Sequence, residues 1–149
     1  MPRVVALYRY PVKGFTPEVC EALAVLDEGR IAGDRVLGMR FASSPAPDHA
    51  WSSKYQFVAL VNTPGLARLS VRFDHRARRL HITHEGGVLV DAALDEAGRR
   101  QISAAIADFV LKLDENPLSR HPDRLPLRVV GDGVTPRYQD NEAGQVSLH

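Results

Sequence analysis

Cysteine, long apolar runs and net charge are all scarce in this chain of 149 residues. A single cysteine, Cys20, cannot form an intramolecular disulfide, which fits a reducing cytoplasm. No apolar run approaches the ~20 residues that span a bilayer, so the sequence predicts no membrane segment. The net charge of +1 argues against a dedicated nucleic-acid binder, although an average over the chain conceals local patches.

The first residues of the chain bear on its cellular location, and its length bears on the number of domains. The run RVVALYRY lacks the apolar region and the small-residue cleavage site of a secretory signal, so we expect a cytoplasmic protein. The length provides for one ordinary hydrophobic core, and the sequence therefore predicts a single domain over residues 1–149.

Alternation of apolar and polar residues with a period of two dominates the chain and predicts a mainly β fold. The first three predicted strands follow one another closely, which is typical of a meander. Residues 42–53 have no hydrophobic period, so we expect a mobile surface loop there, with Trp51 anchoring one end. The predicted strands lie at residues 3–10, 19–27, 35–41, 55–61, 69–73, 80–82, 88–91, 127–130 and 145–148.

Two segments predict helical structure. Ile102, Ile106 and Phe109 recur at helical spacing, which predicts one amphipathic helix near residues 95–113 with Asp95 as its cap. Residues 62–64 predict a short helical turn that runs through Leu69. The fold class is therefore mainly β (α+β), an antiparallel barrel or folded sheet with one helix across it.

The stretch YPVKGF at residues 10–15 is the first candidate for a site. Lys13 offers a point positive charge, and Gly14 lacks a Cβ, so a ligand oxygen can approach its backbone N–H closely. Arg35 offers a planar fork for a phosphate, and Asp34 is expected to point to the opposite side of the strand. These residues predict a phosphate clamp. The alternative is that Gly14 serves the turn and the charges keep the protein soluble.

The segments LYRYPVKGF and GRIAGDRVLGMRF resemble the N-terminal β-barrel domain of the MOSC family. This family includes proteins related to the C-terminal part of molybdenum cofactor sulfurase and the amidoxime-reducing molybdenum enzymes. The resemblance continues through KYQFVALVNTPGLARLSV to YQDNEAGQVSLH, which is similar to the opening of the MOSC domain proper. It implies a barrel-like fold and the molybdenum cofactor, with Lys13, Gly14 and Arg35 holding the phosphate of molybdopterin. We expect Lys54, which follows the predicted loop, to assist them.

Two departures from the family pattern bear on activity. Family members commonly have serine where this chain has Gly14, so one charge-assisted hydrogen bond, about 1.5–3 kcal/mol, is missing. The family's reactive cysteine belongs to a region that would follow Leu148, and Cys20 matches no motif cysteine. The resemblance therefore implies the cofactor-binding portion of an oxidoreductase or sulfur carrier without turnover of its own. Its partners would be a pterin and either another subunit or the remaining MOSC half; whether it is an enzyme stays open.

Other residue clusters leave two alternatives open. His81 and His84 face opposite sides of a predicted strand, so we assign no metal site. The basic residues between Arg68 and Arg79 suggest a nucleic-acid or anionic partner, but few aromatic residues are interleaved among them, and we expect a solvated hairpin tip. The other alternative is a non-catalytic barrel that supports another protein through an exposed apolar patch.

Overall fold

The computed structural model describes residues 6–27, 29–47 and 52–138. Within these ranges the chain forms seven strands, one α-helix and three short 3-10 helices. The strands are β1 (Leu7–Arg9), β2 (Glu18–Cys20), β3 (Gly38–Arg40), β4 (Leu69–Asp74), β5 (Arg79–His84), β6 (Gly87–Ala93) and β7 (Arg128–Val130). The α-helix is α1 (Glu96–Leu111), and the 3-10 helices are Lys54–Gln56, Pro64–Arg68 and Pro122–Arg124.

The strands form three antiparallel sheets, which pair β1 with β2, β3 with β7, and β4 with β5 and β6. The prediction of a mainly antiparallel β fold with one helix is therefore confirmed. No closed barrel forms within the described ranges, so the barrel stays a prediction. The predicted strand at residues 145–148 lies outside the residues that the structure describes.

The three-stranded sheet follows the sequence pattern closely. On β4 the side chains of Leu69, Val71 and Phe73 are buried and the intervening residues are exposed, as the period of two predicts. The turn from β5 to β6 has positive φ at both Glu85 (52°) and Gly86 (78°), which is typical of a type I′ hairpin. The predicted hairpins are confirmed in this part of the chain.

Helix α1 covers the sheet and begins where the sequence predicts. The Asp95 carboxylate accepts a hydrogen bond from the backbone N–H of Gly98 at 2.6 Å and so caps the first turn. Ile102 and Ile106 are fully buried in the core that the helix shares with the sheet. The guanidinium of Arg99 donates to the carbonyl oxygen of Val129 at 3.0 Å, which joins the helix to β7.

The predicted meander at the N-terminus is wrong, because β3 pairs with β7 and the segment before it runs parallel to the segment after β1. Val12 and Leu37 form a parallel bridge, and the N–H of Lys13 donates to the carbonyl of Leu37 at 2.8 Å. Parallel neighbours need a long return connection, which residues 21–33 provide. The bridge between Val25 and Ile31 folds this return on itself.

One further expectation between β3 and β4 is corrected. No strand forms at residues 55–61, where a 3-10 helix precedes a single bridge between Phe57 and Arg40. In the described part of the loop at residues 42–53, the fully buried Arg40 donates from its guanidinium to the carbonyls of Ala46 and Pro47 and to the hydroxyl of Ser52. The mobility of this loop stays a prediction. The predicted anchor, Trp51, lies outside the described residues.

Candidate functional site

The turn at residues 12–15 has the geometry of a type II β-turn. The N–H of Phe15 donates to the carbonyl of Val12 at 3.1 Å, and Gly14, the third residue of the turn, has a φ of 74°. A Cβ on Gly14 would lie 2.4 Å from the Cβ of Ala59. The turn and this close approach therefore require glycine here, whatever the cavity binds. No hydrogen bond joins the Gly14 N–H to another of the described residues.

The Lys13 side chain enters the protein rather than the solvent, and only 2% of its surface is exposed. Its ammonium donates to the carbonyl oxygen of Tyr138 at 3.3 Å and lies 5.8 Å from the centre of the Phe57 ring. Burying an ammonium is costly unless acceptors and other favourable charges surround it, so this placement requires a specific environment. Tyr138 contributes to that environment through its carbonyl group, a role that the residue type does not reveal.

Arg35 is held in place by two neighbours. Its guanidinium carbon lies 4.4 Å from the centre of the Tyr10 ring, and its Nη1 donates to the Asp34 carboxylate at 2.7 Å. The other oxygen of Asp34 accepts from the backbone N–H of Tyr10 at 2.7 Å. The expectation that Asp34 points away from Arg35 is wrong. Arg35 has a φ of 49°, so the chain is not extended here and the alternation of a strand does not apply.

A cavity of about 200 Å³ brings the predicted site residues together. Three residues with cationic side chains, Lys13, Arg35 and Lys54, line it, and Gly14 contributes its backbone. Clustered charge of one sign beside an apolar wall raises the local concentration of ions of opposite sign. The remaining lining residues are Tyr10, Phe15, Ala59, Leu60 and Val61.

The convergence of Lys13 and Arg35 depends on the parallel register between Val12 and Leu37. The N–H of Arg35 donates to the carbonyl of Tyr10 at 2.6 Å, and that of Lys13 donates to the carbonyl of Leu37. The carbonyl of Arg35 in turn accepts from the N–H groups of Arg137 and Tyr138, at 3.2 and 3.0 Å. The backbone at Arg137 and Tyr138 therefore contacts both predicted clamp residues.

Among the described residues, the histidines and Cys20 belong to no cluster of three possible metal ligands. His81 lies on the outer face of the sheet, 3.3 Å from a carboxylate oxygen of Asp91, whereas the His84 ring packs edge-on against Phe109 of the helix. No group of three His, Cys, Asp or Glu residues with metal-binding geometry occurs among residues 6–27, 29–47 and 52–138. Burial raises the pKa of the half-buried Cys20 thiol, which makes it less reactive.

The arginines between residues 68 and 79 do not form one basic patch. Arg68 lines a groove beside the helix, whereas Arg72 lines a different groove beside β2. Near the hairpin tip, Asp91 compensates the charge of Arg79. Its carboxylate accepts a hydrogen bond from the Arg79 Nε at 2.5 Å. A nucleic-acid site would need these charges along one surface.

Comparisons with models of protein families, with curated proteins and with solved structures find no match to this chain. The helices in the described part of the chain are too short or too polar to span a membrane.

Proposed function

We propose that the cavity binds the phosphate group of molybdopterin, as the resemblance to the MOSC family implies. The observation that carries this proposal is the meeting of Lys13, Arg35 and Lys54 around one small cavity. A phosphomonoester carries a charge of about −1.5 to −2 at neutral pH and three strong acceptor oxygens, which matches a wall of several cations. The proposal includes the barrel-like fold and the cytoplasmic location that the sequence predicts.

The residues at the cavity offer a phosphate hydrogen-bond donors of different kinds, namely a guanidinium, a backbone N–H and a lysine. The Arg35 guanidinium offers several N–H groups, one of which it donates to Asp34, and a guanidinium can bind two phosphate oxygens at once. The Gly14 N–H is a further donor at the cavity, although it lacks the hydroxyl that serine would provide. Lys54 adds a charge from the opposite end of the loop that Arg40 anchors.

The cavity is small, and we infer that it holds only one part of the ligand. A volume of about 200 Å³ is below the range of roughly 300–1,000 Å³ that is usual for complete small-molecule sites. We infer that the phosphate enters this cavity and that the pterin body extends beyond it. When bound, the cofactor supplies redox and atom-transfer chemistry at its molybdenum. The residues of this chain bind and orient the phosphate, and we do not expect turnover from the chain by itself.

The second candidate function is a module that docks on another protein, and one observation favours it. Tyr8 and Val19 are register partners in the first sheet, and their exposed fractions are 54% and 72%. Two large apolar side chains side by side on a strand surface are typical of an interaction patch. This function is compatible with phosphate binding, since the partner could be the subunit or domain that covers the pterin.

A titration with pyrophosphate, followed by the amide signals in NMR spectra, tests phosphate binding. We expect saturable shifts at residues 13–15 and near Arg35, and loss of these shifts in Arg35→Ala. Arg72→Ala is the matched control, because it removes the same charge from a different groove. Unchanged spectra at millimolar pyrophosphate, or equal effects of the two substitutions, would reject the proposal. Competition between pyrophosphate and molybdopterin then tests the identity of the cofactor.

A further inference from the structure

A second groove lies at the opposite end of β4 from the hairpin tip, and its volume of about 510 Å³ is within the usual range for small-molecule sites. It runs between the 3-10 helix Pro64–Arg68, the end of β5 and the last turns of α1. Its apolar lining comes from Leu89, Ala105, Phe109 and Leu113. Residues of the phosphate cavity do not contribute to it, so binding in this groove is independent of the proposed function.

The polar groups around this groove are a histidine and three charged side chains. Arg68 and Lys112 bring two positive charges, and Asp108 brings one negative charge. All three are exposed, and none of them forms an ion pair with another residue in the described part of the chain. The C-terminal end of a helix carries a partial negative charge, which Lys112 partly compensates. The groove therefore has a small excess of positive charge.

The His84 side chain provides an independent sign that the groove receives a polar group. Its Nε2 is shielded from solvent and has no hydrogen-bond partner among the described residues. The Glu85 carboxylate lies 3.6 Å from Nε2, which is beyond hydrogen-bonding range. A shielded ring nitrogen without a partner is unfavourable unless a ligand or water supplies one. The same ring packs edge-on against Phe109, with 5.1 Å between ring centres, so this nitrogen belongs to a ring in contact with the apolar lining.

We propose that this groove binds a small organic carboxylate with an apolar body. The carboxylate would accept hydrogen bonds from His84 Nε2 and from Lys112 or Arg68, and the apolar body would cover Phe109 and Leu113. Among the residues that line the groove, two cations outnumber one carboxylate, which favours an anion over a neutral ligand. The Glu85 carboxylate near His84 is largely exposed, so solvent screens its charge. Apolar surface with a few polar groups that fix orientation is the usual composition of a small-molecule site.

Octanoate is the probe for this proposal, and octanol is its uncharged match. In NMR titrations of the whole chain we expect saturable octanoate shifts at residues 84, 89 and 105–113, with binding of octanol roughly tenfold weaker, as the loss of one favourable charge contact implies. Residues 13–15 should not shift, and Arg35→Ala should bind octanoate normally. Equal affinities for octanoate and octanol would overturn the proposal, as would the absence of shifts at these residues.

Two substitutions separate the groove from a general effect of charge. Lys112→Glu should weaken octanoate binding by roughly tenfold or more, whereas Arg76→Glu, the same change of charge at the hairpin tip, should leave it unchanged. Equal weakening by both substitutions would overturn the proposal. Ala105→Phe should fill the groove and abolish octanoate binding, and its thermal unfolding confirms that the variant is folded. Retained binding in folded Ala105→Phe would place octanoate elsewhere and equally overturn the proposal.

Discussion

The backbone N–H of Lys13 donates to the carbonyl of Leu37 at 2.8 Å, between segments that run in the same direction. This register places Val12 and Lys13 beside the segment that begins with Arg35, so Lys13 and Arg35 line one cavity. In an antiparallel meander the same two residues would lie at opposite ends of the first and third strands, with the second strand between them. The position of the proposed phosphate site is thus determined by one short pairing that brings the first and third segments together directly.

Gly14→Ala should destabilise the fold by about 2–4 kcal/mol, since it combines a positive φ with a clash against Ala59. Gly29→Ala is the matched control, because Gly29 has a φ of 83° but open space around its Cα. We expect it to lose only the backbone contribution, about 1–2 kcal/mol. The measurement is urea denaturation, and adding Ala59→Gly should recover part of the loss in Gly14→Ala. Equal losses at the two glycines would contradict the clash.

Glu18→Gln should cost about 3 kcal/mol or more, because it breaks a buried ion pair with Arg9. One carboxylate oxygen of Glu18 accepts hydrogen bonds from Nε of Arg9, at 2.6 Å, and from Nη2 of Arg9. The second carboxylate oxygen accepts a hydrogen bond from the backbone N–H of Phe73 at 3.1 Å. Asp91→Asn is the comparison, since its pair with Arg79 is exposed and solvent screens it, so the loss should be much smaller. Both free energies of unfolding can be measured by denaturant titration. A larger loss from the exposed pair would refute this ranking.

The Asp132 carboxylate should make stability depend on acid. Burial by itself raises its pKa, but hydrogen bonds from the backbone N–H groups of Thr135 and Val134 and from the Thr135 hydroxyl outweigh burial, so the pKa is lowered. Such a group stabilises the fold fully above its unfolded pKa of about 3.9, and the contribution is lost as the pH falls through the lower folded value.

Asp132→Asn removes this titration but keeps one acceptor oxygen. We expect the wild type to be more stable at neutral pH and the difference to shrink as the pH falls below about 4. Chemical denaturation at pH 7, 5, 4 and 3 measures that difference. A gap that stays constant over the series would show that the carboxylate charge does not contribute.

Arg40→Leu should release the loop that Arg40 anchors. The change removes every donor that the guanidinium offers to Ala46, Pro47 and Ser52. Of these acceptors the Ser52 hydroxyl is buried, and a buried acceptor without a partner costs about 1–3 kcal/mol. We expect faster proteolytic cleavage at residues 42–53 than in the wild type. Ser52→Ala, which removes one of these bonds, should have a much smaller effect. Identical cleavage rates in the wild type and Arg40→Leu would show that Arg40 does not anchor this loop.

The sequence predicted the parts of the fold that depend on local patterns. The alternation along residues 69–74 and the helical spacing from Ile102 to Phe109 each show which side is buried, and Asp95 has the chemistry of a cap. These features need no information from distant parts of the chain. The meander failed because strand order depends on long-range pairing, and short strands such as β1 and β3 have too few residues to specify a partner.

The sequence pointed to the charged residues of the candidate site but not to the residues that hold them in place. Lys13 and Arg35 stand out by chemistry, but the carbonyl of Tyr138 has no signal in its residue type. Asp34 was expected to face away because the strand was taken to be extended, whereas a positive φ at Arg35 turns the chain. The ring of Tyr10 lies against the Arg35 guanidinium. The available sequence signal for this role is an aromatic residue directly before Pro11 at the start of YPVKGF.

Because the parallel pairing of Lys13 with Leu37 assembles the cavity only in the folded state, binding of the proposed ligand would also stabilise the folded chain. Lys13 and Arg35 are separated in the chain by residues 14–34, so an unfolded molecule has no assembled pocket and would bind the proposed anion poorly. A ligand that binds the native state at 100 times its Kd stabilises that state by about 2.7 kcal/mol. Cells that make the ligand would therefore retain more of this protein than cells that do not, without any change in its synthesis.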